Sequence, residues 1–222
     1  DLFQTAYVPP GLIRSGIFGH SGIGLFGLSD QALFGAATFL GLFIGATCFS
    51  STADRFGRRV IFVYALLEYS LASVVLVFQT TALGIDLARM VAGIGIGVQL
   101  VTIDTYLVEL TPAAMRGRAF AINHFVQYLA VPSLAFLAWL LIPIDPLGVA
   151  GWRWVVLIGA SGALVIWALQ RKLPESPRWL ALQGRGTEAE AVAAEMEARA
   201  LRATGQPLPP IGADALVPLS AL

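Results

Sequence analysis

Of 222 residues, 57% are hydrophobic and only 13% charged, with a mean hydropathy of +0.75; a soluble core cannot hide that much apolar surface, so lipid must be the solvent. Lys+Arg and Asp+Glu balance at 14 each, so net charge gives no argument for nucleic acid or an acidic substrate as partner. Cys48, the single cysteine, excludes an intramolecular disulfide; with no ligand of zinc spacing near His20 or His124, no metal is expected. His20 reads as a loop residue and His124 as a packed or pore-facing polar group.

Six membrane spans are predicted in chain order. The first, from residue 1 to 10 or a little beyond, is short and opens on Asp1 without an initiator Met, so the chain reads as starting inside its first helix. Residues 31–53 contain no charge, and residues 60–80 contain only Glu68. Each of these runs is the length of a helix crossing a ~30 Å hydrocarbon layer. Spans at 83–108, 119–142 and 154–169 follow, with Pro9, Pro10 and Pro132 interrupting backbone bonding in the first and fifth. Gly41 with Gly45, preceded by Gly35, and Gly93 with Gly97 form small-residue stripes that let helices approach closely. Beyond Leu180, residues 187–202 read as an amphipathic surface helix and 206–210 as a Pro-rich linker. The expected organisation is a transmembrane bundle over 1–182 and a cytoplasmic segment over 183–222.

Between the second and third spans lies the charged run Asp54-Arg55-Phe56-Gly57-Arg58-Arg59. It is expected to be a tight turn at the membrane surface, where Gly57 permits unusual backbone geometry and the arginines reach carbonyls, phosphates or carboxylates. Arg55, Arg58, Arg59, Arg116, Arg118, Arg171, Lys172, Arg178 and Arg185 fall on the side of this run, against Arg14 and Arg153 opposite. That bias places the 54–59 loop in the cytoplasm of a multi-pass protein of an inner or plasma membrane. Trp152 and Trp154 are then expected as anchors at the outer interface, with Trp179 at the inner one.

The order Asp-Arg-x-Gly-Arg-Arg resembles the cytoplasmic loop signature of the major facilitator superfamily. Arg89-Met90-Val91-Ala92-Gly93-Ile94-Gly95-Ile96-Gly97 resembles that superfamily's fourth-helix pattern, and Pro174-Glu175-Ser176-Pro177-Arg178-Trp179-Leu180 is similar to the segment after the sixth helix in its sugar porter branch. Tyr106, Glu109 and Arg116-Gly117-Arg118 also fit that branch. The resemblance implies an all-α membrane protein, a six-transmembrane-helix bundle forming the amino-terminal half of a twelve-helix major facilitator fold. It implies a proton-coupled secondary transporter of a small polar metabolite, working by alternating access, with no covalent chemistry and no cofactor. Its partners would be the bilayer, substrate, protons, and a missing carboxy-terminal half or another protein covering the cavity face. The competing class is a non-transporting receptor or six-helix membrane subunit.

Charges inside the spans are costly, so each is expected to face a cavity or a partner. The resemblance implies that Asp1 and Arg89 pair and that the pair's protonation is linked to transport; the plain alternative is a static ion pair fixing helix packing. Neither has another strong intramembrane partner in this half by sequence. Asp86 is expected near the outer interface, and Glu68 either snorkelling or facing the cavity. Asp104 and Glu109 are expected to accept from Arg55, Arg58 or Arg116 in a cytoplasmic latch that Asp54, Gly57, Arg59, Glu175 and Arg178 complete. Substrate contacts are expected from Arg89, Asn123, Gln127 and Tyr128. Val131 stands where hexose porters carry a glutamine, and Asp104 replaces a proline, which widens the substrate class to organic acids and aromatic compounds beside sugars.

Overall fold

The computed structural model describes residues 3–19, 27–111, 115–170 and 173–205, and among them every regular element is helical. These residues fall into two compact units, divided between Ser176 and Pro177. In the first unit, α1 (Gln4–Tyr7) and α2 (Pro9–Arg14) together carry the first span past Pro10 to Arg14. Val8 between them keeps right-handed helical angles (φ −82°, ψ −35°), and its carbonyl accepts from both Gly11 N (2.9 Å) and Leu12 N (3.2 Å). Proline removes donors here without turning the chain aside.

The run expected as one helix at 31–53 is two. α3 (Asp30–Cys48) starts under a Ser29 cap that accepts from Ala32 N, and α4 (Ser50–Phe56) follows a break at Phe49. α5 (Arg58–Val77), α6 (Ala82–Leu110), α7 (Arg116–Leu141) and α8 (Gly151–Gln170) complete the bundle. With α3, these make five helices long and apolar enough to span a membrane among the described residues. Their outward faces carry Phe39, Phe43, Val75, Phe125, Trp139 and Val165, all exposed, as an apolar solvent allows.

α6 is the central element, packed along α3 on one side and α5 on the other, with α8 against α5. Glycine makes the α3–α6 contact. A Cβ at Gly41 would lie 2.0 Å from the Met90 carbonyl oxygen, at Gly45 2.1 Å from that of Ile94, and at Gly97 2.2 Å from that of Leu42. The two backbones therefore touch directly. Gly35 is not part of this seam; its added Cβ would make only ordinary contact with Thr5, at 3.8 Å. α7 is the loosest member and almost wholly exposed, with His124 on its open surface rather than packed.

Trp152 and Trp179 depart from their expected roles as interface anchors. Trp152 is fully buried with Val8, Leu12 and Phe34, and the glycine at position 11 of α2 makes room for it, since a Cβ there would lie 2.6 Å from the Trp152 Cβ. Trp154 does keep a polar tip, donating from Nε1 to the Pro146 carbonyl at 3.1 Å. On the same side Arg14 donates to the Pro143 carbonyl (2.8 Å) and lies 3.5 Å from Asp145, tying the first span to the turn between α7 and α8.

The second unit contains α9 (Pro177–Leu182) and α10 (Gly186–Thr204), where residues 187–202 were expected to form a surface helix. Trp179 and Leu180 are buried there with Ala189. Residues 206–210, read as a linker, and His20 lie outside the described residues.

Candidate functional site

Arg89 is 1% exposed, in the middle of the bundle. A guanidinium in such a place must have its donors met, because an unsatisfied buried charge costs several kcal/mol. Neighbouring helices contribute oxygens to it: Nε donates to Thr38 Oγ1 on α3 (3.1 Å), Nη2 to Thr5 Oγ1 on α1 (3.1 Å), and Nη1 reaches Gln4 Oε1 at 3.4 Å. The guanidinium also lies over the Phe34 ring, 5.4 Å from its centroid. Thr38 in turn donates to the Phe34 carbonyl, which orients its lone pairs toward Arg89. The Tyr69 hydroxyl of α5 is buried beside Arg89, Gln4 and Ser73. Four spans thus converge on one cation.

This corrects the expectation that Arg89 has no strong partner but Asp1. Threonine and glutamine carry no charge and are common in helices, so nothing in the sequence marked Gln4, Thr5 and Thr38 as its ligands. Asp1 lies outside the described residues.

The residues expected to touch substrate on α7 are partly assembled. Asn123 and Gln127 are one turn apart and half-buried, and Tyr128 is exposed with its ring 6.0 Å from that of Phe3 at the start of α1. Phe3 adjoins the two α1 residues bonded to Arg89, so α1 touches both groups. Asn123 Nδ2 is buried without a hydrogen-bond partner among the described residues.

At the charged run, Gly57 has φ 104° and ψ 144°, a region closed to residues with a Cβ, and it separates α4 from α5. That turn aims Arg58 inward. Its Nη2 lies 2.7 Å from Asp54 and 3.3 Å from Glu109 of α6, while Nη1 donates to the Ala53 carbonyl at 3.1 Å. The Arg58 and Glu109 side chains are buried and Asp54 is exposed. Glu175 accepts from the Arg59 and Ser176 backbone N–H groups (3.1 and 3.0 Å), and the Tyr106 hydroxyl donates to the Pro174 carbonyl. The end of α6, the start of α5 and the segment after α8 are thereby stitched together. Asp104 is exposed and makes no hydrogen bond or ion pair to a described residue. Arg116 instead donates to the Thr111 carbonyl (3.2 Å), and Arg55 lies over the Phe56 ring. Arg178 is exposed on α9 of the second unit.

Among the described residues no cluster of three His, Cys, Asp or Glu side chains has the arrangement of a metal site. Residues 27–205 match the family model described as "Sugar (and other) transporter". The chain belongs to this transporter family. The Escherichia coli (strain K12) protein described as "Putative metabolite transport protein YdjK" is 36% identical over 203 residues, covering 87% of this chain and 44% of that protein. The niacin transporter NiaP of Acinetobacter baylyi is 32% identical over 162 residues, 73% of this chain and 35% of NiaP. Among solved structures, the xylose transporter XylE of E. coli in a partially occluded inward-open conformation superposes with a TM-score of 0.75 at 22% identity, covering 92% of this chain and 54% of XylE. The fold is that of the amino-terminal half of a major facilitator protein, integral to a membrane. The chain spans about half the length of the relatives it matches.

Proposed function

We propose that the chain supplies half of a proton-coupled secondary transporter for a small polar metabolite, an organic acid, aromatic compound or sugar, with Arg89 at the coupling centre. The observation that carries this reading is the Arg89 guanidinium, buried where α1 and α3 meet α6. A guanidinium in a low-dielectric interior attracts a carboxylate strongly, whether that of Asp1 or that of a substrate. A carboxylate beside it favours the ionised form, and separating the two in a low-dielectric cavity favours proton uptake. The substrate would lie between this cluster and Asn123, Gln127 and Tyr128 of α7.

On this reading the 54–59 loop faces the cytoplasm, and Asp54, Arg58, Glu109 and Glu175 form a latch on that side. Alternating access requires the latch to hold in one state and release in the other. The relatives described as a niacin transporter and as an arabinose-proton symporter bracket the proposed substrate class.

The test is counterflow into proteoliposomes of the native protein. Vesicles are preloaded in turn with an aromatic monocarboxylate, a pentose and a cyclic polyol, and each labelled compound is added outside at trace level. Saturable overshoot is expected for one chemical class. No overshoot with any class, from protein that is folded by thermal-shift assay, would refute the transport reading.

A further inference from the structure

Two grooves, of about 640 and 300 Å³, run along the contact between α5 and α6, and Tyr64 and Glu68 of α5 line both. The larger adds Leu71, Val75, Leu87 and Val91, all exposed. On α6, Leu87 and Val91 stand two positions to either side of Arg89, about 200° around a helix of 3.6 residues per turn, and Gly95 and Val98 of the smaller groove continue that face. Both grooves therefore open away from the Arg89 cluster, toward lipid.

Glu68 is the one charged residue in either lining. It lies midway along α5, about 15 Å of helix from each end, which is near the middle of a ~30 Å hydrocarbon layer. It neither snorkels nor faces the cavity. Both carboxyl oxygens are buried without a hydrogen-bond partner among the described residues, and the Gly95 amide approaches without reaching hydrogen-bond geometry. Gly95 makes the recess they occupy, since a Cβ there would lie 2.1 Å from Oε2. A carboxylate at this depth is costly unless a positive charge offsets it.

The recess decides which cation suits it. An ammonium or guanidinium recovers its desolvation cost through hydrogen bonds, and oxygens sunk against Gly95 are poorly placed to accept them. A bulky cation whose charge is spread beneath apolar groups loses less on leaving water, and a low-dielectric medium carries the attraction without direct contact. Tyr64, at the junction of the grooves, adds an aromatic face of the kind that holds quaternary cations. The larger volume, about 640 Å³, falls within the roughly 300–1,000 Å³ of small-molecule sites.

We propose that the larger groove binds a delocalised lipophilic cation, of the quaternary phosphonium or ammonium class, from the membrane, with Glu68 as its counter-charge and Tyr64, Leu71 and Val91 as its walls. The site is separate from the Arg89 cluster and does not depend on which compound is transported.

Equilibrium dialysis of radiolabelled tetraphenylphosphonium against the native protein in phosphatidylcholine nanodiscs tests it, with empty nanodiscs subtracted. The wild type should bind the cation saturably, and triphenylphosphine oxide, aromatic but uncharged, should not compete. Glu68→Gln should weaken binding at least about tenfold, the size of one charge contact in partly buried surroundings. Asp86→Asn removes a carboxylate from α6 that lines neither groove, and should leave binding nearly unchanged. Leu71→Trp fills the groove with Glu68 in place and should weaken binding as much as Glu68→Gln, so the test stands even if Glu68→Gln does not fold. Absence of saturable binding to the wild type, or competition by the phosphine oxide, would overturn the proposal. So would equal losses in Asp86→Asn and Glu68→Gln, or unaltered binding in Leu71→Trp.

Discussion

Uptake by the native protein is expected to fall at least about 100-fold in Arg89→Gln, measured as initial rate normalised to the amount of protein in the membrane. Each hydrogen bond from a charged donor contributes about 1.5–3 kcal/mol, and Arg89 makes such bonds to Thr5 and Thr38 at 3.1 Å and a longer one to Gln4. Glutamine keeps a polar group in the site, so the helices still pack, but it removes the buried cation that can hold a carboxylate in a low-dielectric interior. Arg89→Lys should be intermediate. A lysine retains the charge yet lacks the planar fork that reaches α1 and α3 together. Near-normal uptake in Arg89→Gln would confine the residue to a packing role.

The second large effect is structural. Gly41→Leu or Gly97→Leu should prevent α3 and α6 from meeting and destabilise the bundle by about 3 kcal/mol or more, at the upper end of overpacking penalties. Even the first carbon has no room, since a Cβ at these positions falls 2.0 and 2.2 Å from the Met90 and Leu42 carbonyl oxygens. Gly117 and Gly162 provide the control: nothing lies within 4 Å of a Cβ there, so alanine should be neutral or slightly stabilising in a helix. Thermal unfolding in detergent, followed by circular dichroism, distinguishes the two pairs. Equal midpoints for Gly41→Leu and Gly162→Ala would refute the direct backbone contact.

Which parts of this molecule the sequence makes legible follows from how strongly each is encoded. Long apolar runs near 20 residues leave little choice but spanning helices, and the observed α5, α6, α7 and α8 begin and end within a few residues of the runs at 60–80, 83–108, 119–142 and 154–169. The break at Phe49 was invisible, because no Gly or Pro marks it and Ser50, Ser51 and Thr52 are all tolerated in helices. The glycine stripes announced close approach but not the partner; only the structure pairs Gly41 and Gly45 with the carbonyls of Met90 and Ile94. At the site, charge was the readable signal. Arg89 stood out as an ion inside an apolar span and Arg58 as part of a charged run between two such spans, while Gln4, Thr5 and Thr38 did not. Trp152 misled for a related reason: an aromatic beside Arg153 near a span's end has the composition of an interface anchor, and its burial depends on Gly11, 141 positions away.

Proton coupling through Asp1 and Arg89 is the central claim, and the direct measurement compares uphill accumulation with exchange in Asp1→Asn proteoliposomes under an imposed pH gradient. An asparagine at position 1 mimics only the protonated carboxyl. Accumulation driven by the gradient should therefore disappear while exchange of labelled for unlabelled substrate persists at a measurable fraction of the wild-type rate. Undiminished uphill accumulation in Asp1→Asn would contradict the account and place the coupling proton on another group.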